Sequence, residues 1–157
     1  MKETISAREH YDRLAEVGHG RNDPPSMQGY MARWDGPQFH EMLGDLAERD
    51  VLEVGIGSGR VAREVLKRGC RRLTGLDVSP QTLAVARADL AEFPNLELVL
   101  ADVCDFRRDD SFDVAFSVLT FMHVEDKHKA LRNVVGSLRV GGHVVLSIDQ
   151  ESECLDF

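Results

Sequence analysis

Residues 51 to 60 read VLEVGIGSGR, and no other stretch restricts the fold of this chain as strongly. Val51, Leu52 and Val54 read as a buried strand that carries a single charge, Glu53, and Gly55, Gly57 and Gly59 follow at every second position. Glycine at that spacing suits backbone that must reach positive φ and lie against a ligand, where a Cβ would intrude. Arg60 to Arg68 then predicts a helix, with Val61, Ala62, Val65 and Leu66 on one face and Gly69 as its C-terminal stop. The helix N-terminus faces whatever occupies the turn.

Strand and helix alternate from Asp50 onward. Arg72 to Asp77 is expected as a second strand, followed by a helix that Ser79 caps and Pro80 opens, with Leu83, Ala86 and Leu90 along it. Leu96 to Ala101 predicts a third strand and Ser111 to Ser117 a fourth. Asp126 to Arg139 predicts a helix, Gly141-Gly142 a turn, and His143 to Ile148 a fifth strand. This alternation implies an α/β chain with a doubly wound, mostly parallel sheet, right-handed crossovers and helices on both faces.

Helical patterns precede the glycine turn. Thr4 to Val17 carries a partial apolar stripe of Ile5, Tyr11, Leu14 and Ala15, and Gly18 to Ser26 (GHGRNDPPS) reads as loop. Met27 to Trp34 predicts a short helix and Pro37 to Glu48 a longer one, with Phe39, Met42, Leu43, Leu46 and Ala47 at helical spacing. Residues 1–48 are therefore expected as a helical cap, 49–149 as the core and 150–157 as a tail, all within one domain.

Composition narrows the function. A formal charge of -8 opposes nucleic-acid binding, which needs clustered Lys and Arg. Lys67, Arg68, Arg71 and Arg72 form one short cluster, which reads as a solvated helix end. The longest apolar runs fall far short of the roughly 20 residues of a membrane span. The charged opening MKETISAREHYDRLAE lacks a secretion signal's apolar core, so a cytoplasmic protein is expected. Cys70, Cys104 and Cys154 are widely spaced without a C-x-x-C pair and read as free thiols, not bridges or metal ligands, and no metal site is expected.

In a doubly wound sheet, ligands bind beyond the carboxyl ends of the strands. Glu53, Asp77 and Asp102 fall at three such ends. VLEVGIGSGR, then GLDVS, LADVCDF, FDVAFSVLTFMHVED and LRVGGHVVLSI, taken in that order, resemble the motifs of class I S-adenosylmethionine-dependent methyltransferases, over roughly Tyr11 to Ile148. The resemblance implies a Rossmann-like fold with S-adenosylmethionine as cofactor and S-adenosylhomocysteine as product. It also implies methyl transfer to a small-molecule acceptor by in-line displacement.

The residue roles it implies suit a cofactor without phosphate. Asp77 would accept from the ribose hydroxyls, with Val78 beside it; Asp102 would meet the adenine amino group and the Val103 amide a ring nitrogen. Gly55, Gly57 and Gly59 would let backbone approach the methionine part, and Glu53 and the Ser117 carbonyl would face its ammonium. Ser58 reads as a helix cap and Cys104 as packing. Tyr11, Tyr30 and Trp34 are candidates for closing over the site, with packing as the plainer reading. His123 is a candidate base, needed only for a hydroxyl or protonated amine acceptor.

Relatives in this family continue beyond the fifth strand, whereas this chain stops at Phe157. Either the sequence is a fragment, or a second copy pairs with the exposed fifth strand to make a homodimer. Three other functions compete: a cofactor-binding domain without activity, a nucleotide-dependent oxidoreductase, and an aminopropyltransferase on the same fold. The last is disfavoured because the SVLTF stretch at the fourth strand's end lacks that chemistry's acidic base. The oxidoreductase pattern would need glycine where Arg60 stands. No Asn/Asp-Pro-Pro-Tyr stretch follows the fourth strand, unlike many nucleic-acid amine methyltransferases of this family.

Overall fold

A computed structural model describes residues 6–16 and 33–148. Helix α1 (Ala7–Glu16) and the short α2 (Pro37–Met42) precede an alternating core. The core runs β1 (Asp50–Val54), α3 (Arg60–Lys67), β2 (Arg72–Asp77), α4 (Pro80–Asp89), β3 (Leu96–Leu100), β4 (Phe112–Val118), α5 (Lys127–Gly136) and β5 (Leu138–Ser147). The five strands are parallel in the order β3-β2-β1-β4-β5. The chain walks outward from β1 to β3 and then returns to place β4 on the other side of β1. That reversal makes the crevice between the carboxyl ends of β1 and β4 the ligand position of a doubly wound sheet.

Alternate residues of the central strands feed two cores. Val51, Leu73, Val114, Phe116 and Val145 pack with Phe39, Leu43, Val65, Leu66 and Leu83, under α2, α3 and α4. Leu52, Val54, Leu76 and Ala115 pack with Phe106, Ala130 and Val134, under α5. Burial on both faces explains the apolar run before the glycines, which Glu53 alone interrupts. Truncating Leu52 or Leu76, both almost wholly buried, to alanine costs about 2–5 kcal/mol.

Several local signals act as the sequence predicts. Ser79 caps α4, its Oγ accepting from the Thr82 amide at 3.0 Å, with Pro80 first in the helix; losing such a cap costs about 1 kcal/mol. Gly69 closes α3 at φ 78, its amide donating to Leu66. α1 starts later than expected, because Ser6 and Glu9 form a reciprocal cap: the Ser6 amide donates to Glu9 Oε2 at 3.0 Å and the Glu9 amide to Ser6 Oγ at 3.3 Å.

Other expectations are corrected. The helix expected over Pro37 to Glu48 ends at Met42, because Gly44 at φ 68 turns the chain; Leu46 is buried from a loop, while Met42 and Ala47 are exposed. Ser58 is not the cap of α3; Gly59 takes that position without a side-chain bond. The helix expected to reach Arg139 stops at Gly136. There the Ser137 carbonyl accepts from the amides of Ser111 and Phe112 and draws the chain into β5. Gly141-Gly142 does not precede β5 but lies inside it. The register jumps from Phe112 opposite Leu138 to Val114 opposite His143, which makes the glycines a bulge. A Cβ on Gly142 would stand 2.9 Å from the Asp113 carbonyl.

At the amino ends of the strands, Asp50 and Asp113 are crosslinked by arginines. Arg139 reaches Asp113 at 3.0 Å and Asp50 at 2.7 Å, Arg71 also grips Asp50, and Arg108 pairs with Glu97. Arg71, Arg72, Arg108 and Arg139 all line a hollow there. β5 is an edge strand, with Val140 wholly exposed and Ile148, just past its end, about half exposed.

Candidate cofactor and active site

The carboxyl ends of β1, β2 and β4 open into a cavity of about 870 Å³. Glu53, Gly55, Gly57, Asp77, Val78, Asp102, Val103, Tyr11 and His123 all line it. Gly59 and Ser117 do not: Gly59 packs its bare α-carbon against Leu90, and the Ser117 hydroxyl donates to the Val54 carbonyl at 2.8 Å. Val118 and Leu119, the next residues along, line the wall in place of Ser117. Trp34 is not part of the lining, and Tyr30 lies outside the described residues.

The glycine turn needs its glycines for different reasons. At Gly55 the backbone has φ 76 and a Cβ would collide with Thr120, whose Oγ1 would stand 2.0 Å away. At Gly57, φ is 58 and the missing Cβ would meet nothing within 4 Å. Gly57 therefore leaves one side of its backbone open, and its amide donates to Asp77 Oδ2 at 3.0 Å. The Ser79 amide donates to Asp77 Oδ1 at 3.0 Å. Each Asp77 oxygen keeps a lone pair for a further donor. Burial raises the Asp77 carboxyl above its ordinary value, while the amides of Ser79, Gly57 and Val78 oppose the rise.

Glu53 is 2% exposed and its Oε2 has no hydrogen-bond partner. Burial pushes its carboxyl well above the ordinary value; Arg60 opposes this, and Asp77 and Asp35 add to it. Arg60 is itself engaged by the buried Asp35. A buried carboxylate oxygen without a donor is costly. It marks a place where a cationic or N–H-bearing ligand would be stabilised.

Asp102 is exposed at the mouth and accepts from the Cys104 amide at 2.8 Å, whereas Val103 is buried in the second core. Cys104 is free and partly buried, with Sγ 3.5 Å from the Asp126 carbonyl. Opposite them, the Tyr11 and His123 rings meet edge to face, centroids 5.6 Å apart. Burial raises the Tyr11 phenol, with Asp77 adding; burial, then His10 and Lys127, hold His123 below its ordinary value. His123 is thus held toward the neutral imidazole that can accept a proton.

Sequence reasoning did not find Asp12, Asp35 or Thr120. Asp12 donates no motif of its own, yet its carboxylate accepts from Ser79 Oγ at 2.5 Å. Gly75, in the GLDVS stretch, was equally silent: a Cβ there would stand 2.3 Å from the Ile56 side chain.

Comparison with known proteins agrees with this geometry. Residues 52–146 match the family model described as a methyltransferase domain. The malonyl-[acyl-carrier protein] O-methyltransferase 1 of Ilyobacter polytropus is 30% identical over 105 residues, 66% of this chain and 39% of that protein. The ubiquinone biosynthesis O-methyltransferase of Alkalilimnicola ehrlichii is 32% identical over 111 residues, 68% of this chain and 44% of that protein. The crystal structure of an S-adenosylmethionine-dependent methyltransferase from Mesorhizobium loti superposes with a TM-score of 0.69 at 32% identity, covering 73% of this chain and 52% of that one. The chain thus spans about half, or less, of the length of these relatives. With its five-stranded parallel sheet, glycine turn and strand-end acids, the chain belongs to the methyltransferase-domain family, the S-adenosylmethionine-dependent methyltransferases of class I Rossmann-like fold.

Proposed function

We infer that this chain binds S-adenosylmethionine in the cavity at the β1 and β4 ends and transfers its methyl group to a small-molecule acceptor. The observation that carries the reading is the buried, unpartnered Glu53 Oε2 in the same cavity as the open side of Gly57. The acceptor set fits this cofactor: carboxylates for an ammonium, hydroxyls and an amine, with bare backbone between them. When bound, the cofactor supplies a methyl group activated by a neighbouring sulfonium.

The chain's own residues bind and orient. Glu53 would hold the ammonium end, with Gly55 and Gly57 along the methionine part. Gly59 acts by shaping the turn, and Ser117 by fixing the Val54 carbonyl. Asp77 would take the ribose hydroxyls, with Val78 against the ring; Asp102 would take the adenine amino group and Val103 a ring nitrogen. Tyr11 and His123 would close over the acceptor, and His123 would remove a proton from an acceptor that carries one. Rate gain on this reading comes chiefly from holding the acceptor in line.

The family match removes the support for a nucleotide-dependent oxidoreductase. A small acceptor is favoured by a cavity of about 870 Å³, and the charge of -8 disfavours nucleic acid. Residues 6–16 and 33–48 serve as the cap on a core that begins at residue 49. Among the described residues no helix is long and apolar enough to cross a membrane. The apolar edge of β5, with Val140 and Ile148 exposed, supports pairing with a second copy.

Titration calorimetry with S-adenosylmethionine and S-adenosylhomocysteine tests the binding step. Binding to the unmodified chain and its loss in Glu53→Gln is the expected result. A chain that takes up neither compound overturns the reading. Turnover against an acceptor panel, starting with phenols and amines, tests the transfer step and separates an enzyme from a binding domain.

A further inference from the structure

We propose that Asp12 is the clasp that seats α1 over the cavity, acting through Ser79, and that it sets how long a bound cofactor stays. The residence claim rests on the cofactor reading above, whereas the clasp rests on contacts alone.

α1 carries no buried side chain. Tyr11, Leu14 and Ala15 line the cavity, and the helix packs along α4. Side chains facing a cavity anchor a helix less firmly than core contacts do. What fastens α1 must therefore come from elsewhere.

Ser79 supplies it. This residue is fully buried, and its polar connections, beside the helical bond its carbonyl accepts from the Leu83 amide, run to three different elements. Its amide donates to Asp77 at the end of β2, its Oγ accepts from Thr82 in α4, and its hydroxyl hydrogen goes to Asp12 at 2.5 Å. A hydroxyl fixed by a cap has one direction in which to donate, and a carboxylate acceptor makes that bond about twice as strong as a neutral one. Arg8 competes for Asp12 only weakly, at 3.9 Å and from a side chain 61% exposed.

The clasp fixes rotation as well as position. Neighbouring residues on a helix point about 100° apart, so seating Asp12 on Ser79 determines where Tyr11 points. Tyr11 then meets His123 across the mouth. Asp12 is a positioning residue on this account, not one that touches the reacting atoms.

The test uses the whole chain with S-adenosylhomocysteine as probe, read by stopped-flow dissociation and by hydrogen exchange of the α1 amides. Asp12→Ala should raise α1 exchange and speed dissociation by about tenfold each, the effect of losing about 1.4 kcal/mol, with association little changed. Asp12→Asn keeps a neutral oxygen acceptor for Ser79, so both readouts should recover part of the way, to values between those of Asp12→Ala and the original chain. In Ser79→Ala, adding Asp12→Ala should change neither readout further, because the shared bond is already gone. Unchanged α1 exchange in Asp12→Ala overturns the clasp whatever the probe does. Raised exchange with unaltered dissociation overturns the residence claim. Failure of the unmodified chain to bind the probe overturns the cofactor reading, and the exchange result still decides the clasp.

Discussion

The Gly57 amide donates to Asp77 Oδ2 across the gap between β1 and β2, so the glycine turn and the second strand's terminal acid form one unit. Asp77 is consequently part of the turn's structure as well as a candidate ligand. Replacing it disturbs both.

That double duty separates two substitutions. Asp77→Ala strands the amides of Gly57 and Ser79 and should cost about 1–3 kcal/mol of stability. Asp77→Asn keeps one acceptor oxygen and turns an NH2 toward the other amide, so its denaturant midpoint should lie between those of the original chain and Asp77→Ala. Both should weaken S-adenosylhomocysteine binding by at least about tenfold, as expected for a lost hydrogen bond to a charged group. Chemical denaturation beside calorimetry checks the split; Asp77→Asn binding at full strength would remove Asp77 from the ribose.

Glu53 predicts a proton-linked affinity. Its carboxyl lies well above the ordinary value near 4.5, because burial favours the neutral form. A raised carboxyl contributes stability below that ordinary value, and the contribution is lost as pH rises through the folded value. An ammonium beside it favours the charged form, so binding should release a proton and affinity should rise with pH across that window. Calorimetry of S-adenosylmethionine in buffers of different ionisation enthalpy measures the release, which Glu53→Gln should abolish.

Gly55 and Gly57 should fail in different ways. Alanine at Gly55 meets Thr120 and should destabilise the fold, with partial recovery when Thr120 is shortened to glycine. Alanine at Gly57 has room, so its cost is the backbone strain of about 1–2 kcal/mol. Its methyl group projects into space assigned to the cofactor, so binding should fall more than stability. Thermal melts with and without S-adenosylhomocysteine distinguish the two.

The exposed edge gives a prediction about association. Sedimentation at increasing concentration should show a dimer that Val140→Lys weakens, since a charge on an edge strand blocks pairing. Sedimentation of the unmodified chain as a monomer throughout would exclude pairing through β5.

Much of the core was legible because each signal was local. Arg72 to Asp77 is a strand over the predicted residues, and the Ser79-Pro80 cap is where the sequence places it. Errors arose where a distant partner decides. Leu138 looks like the end of a helix by spacing, but the Ser137 carbonyl is claimed by Ser111 and Phe112, which no window around residue 137 contains. Gly141-Gly142 looks like a turn, but pairing with β4 makes it a bulge. In the site, acids at strand ends could be read from the alternation alone. Asp12 could not, since its meaning comes from a serine 67 positions away.

The arginines that crosslink Asp50 and Asp113 stand at one end of the sheet, and Glu53, Asp77 and Asp102 stand at the other. The arginines are offset by the carboxylates they grip, whereas Asp77 and Asp102 accept from backbone amides, which carry no net charge. A positively charged solute approaching through dilute salt is drawn toward those two carboxylates. Raising the ionic strength would slow such capture while leaving escape nearly untouched.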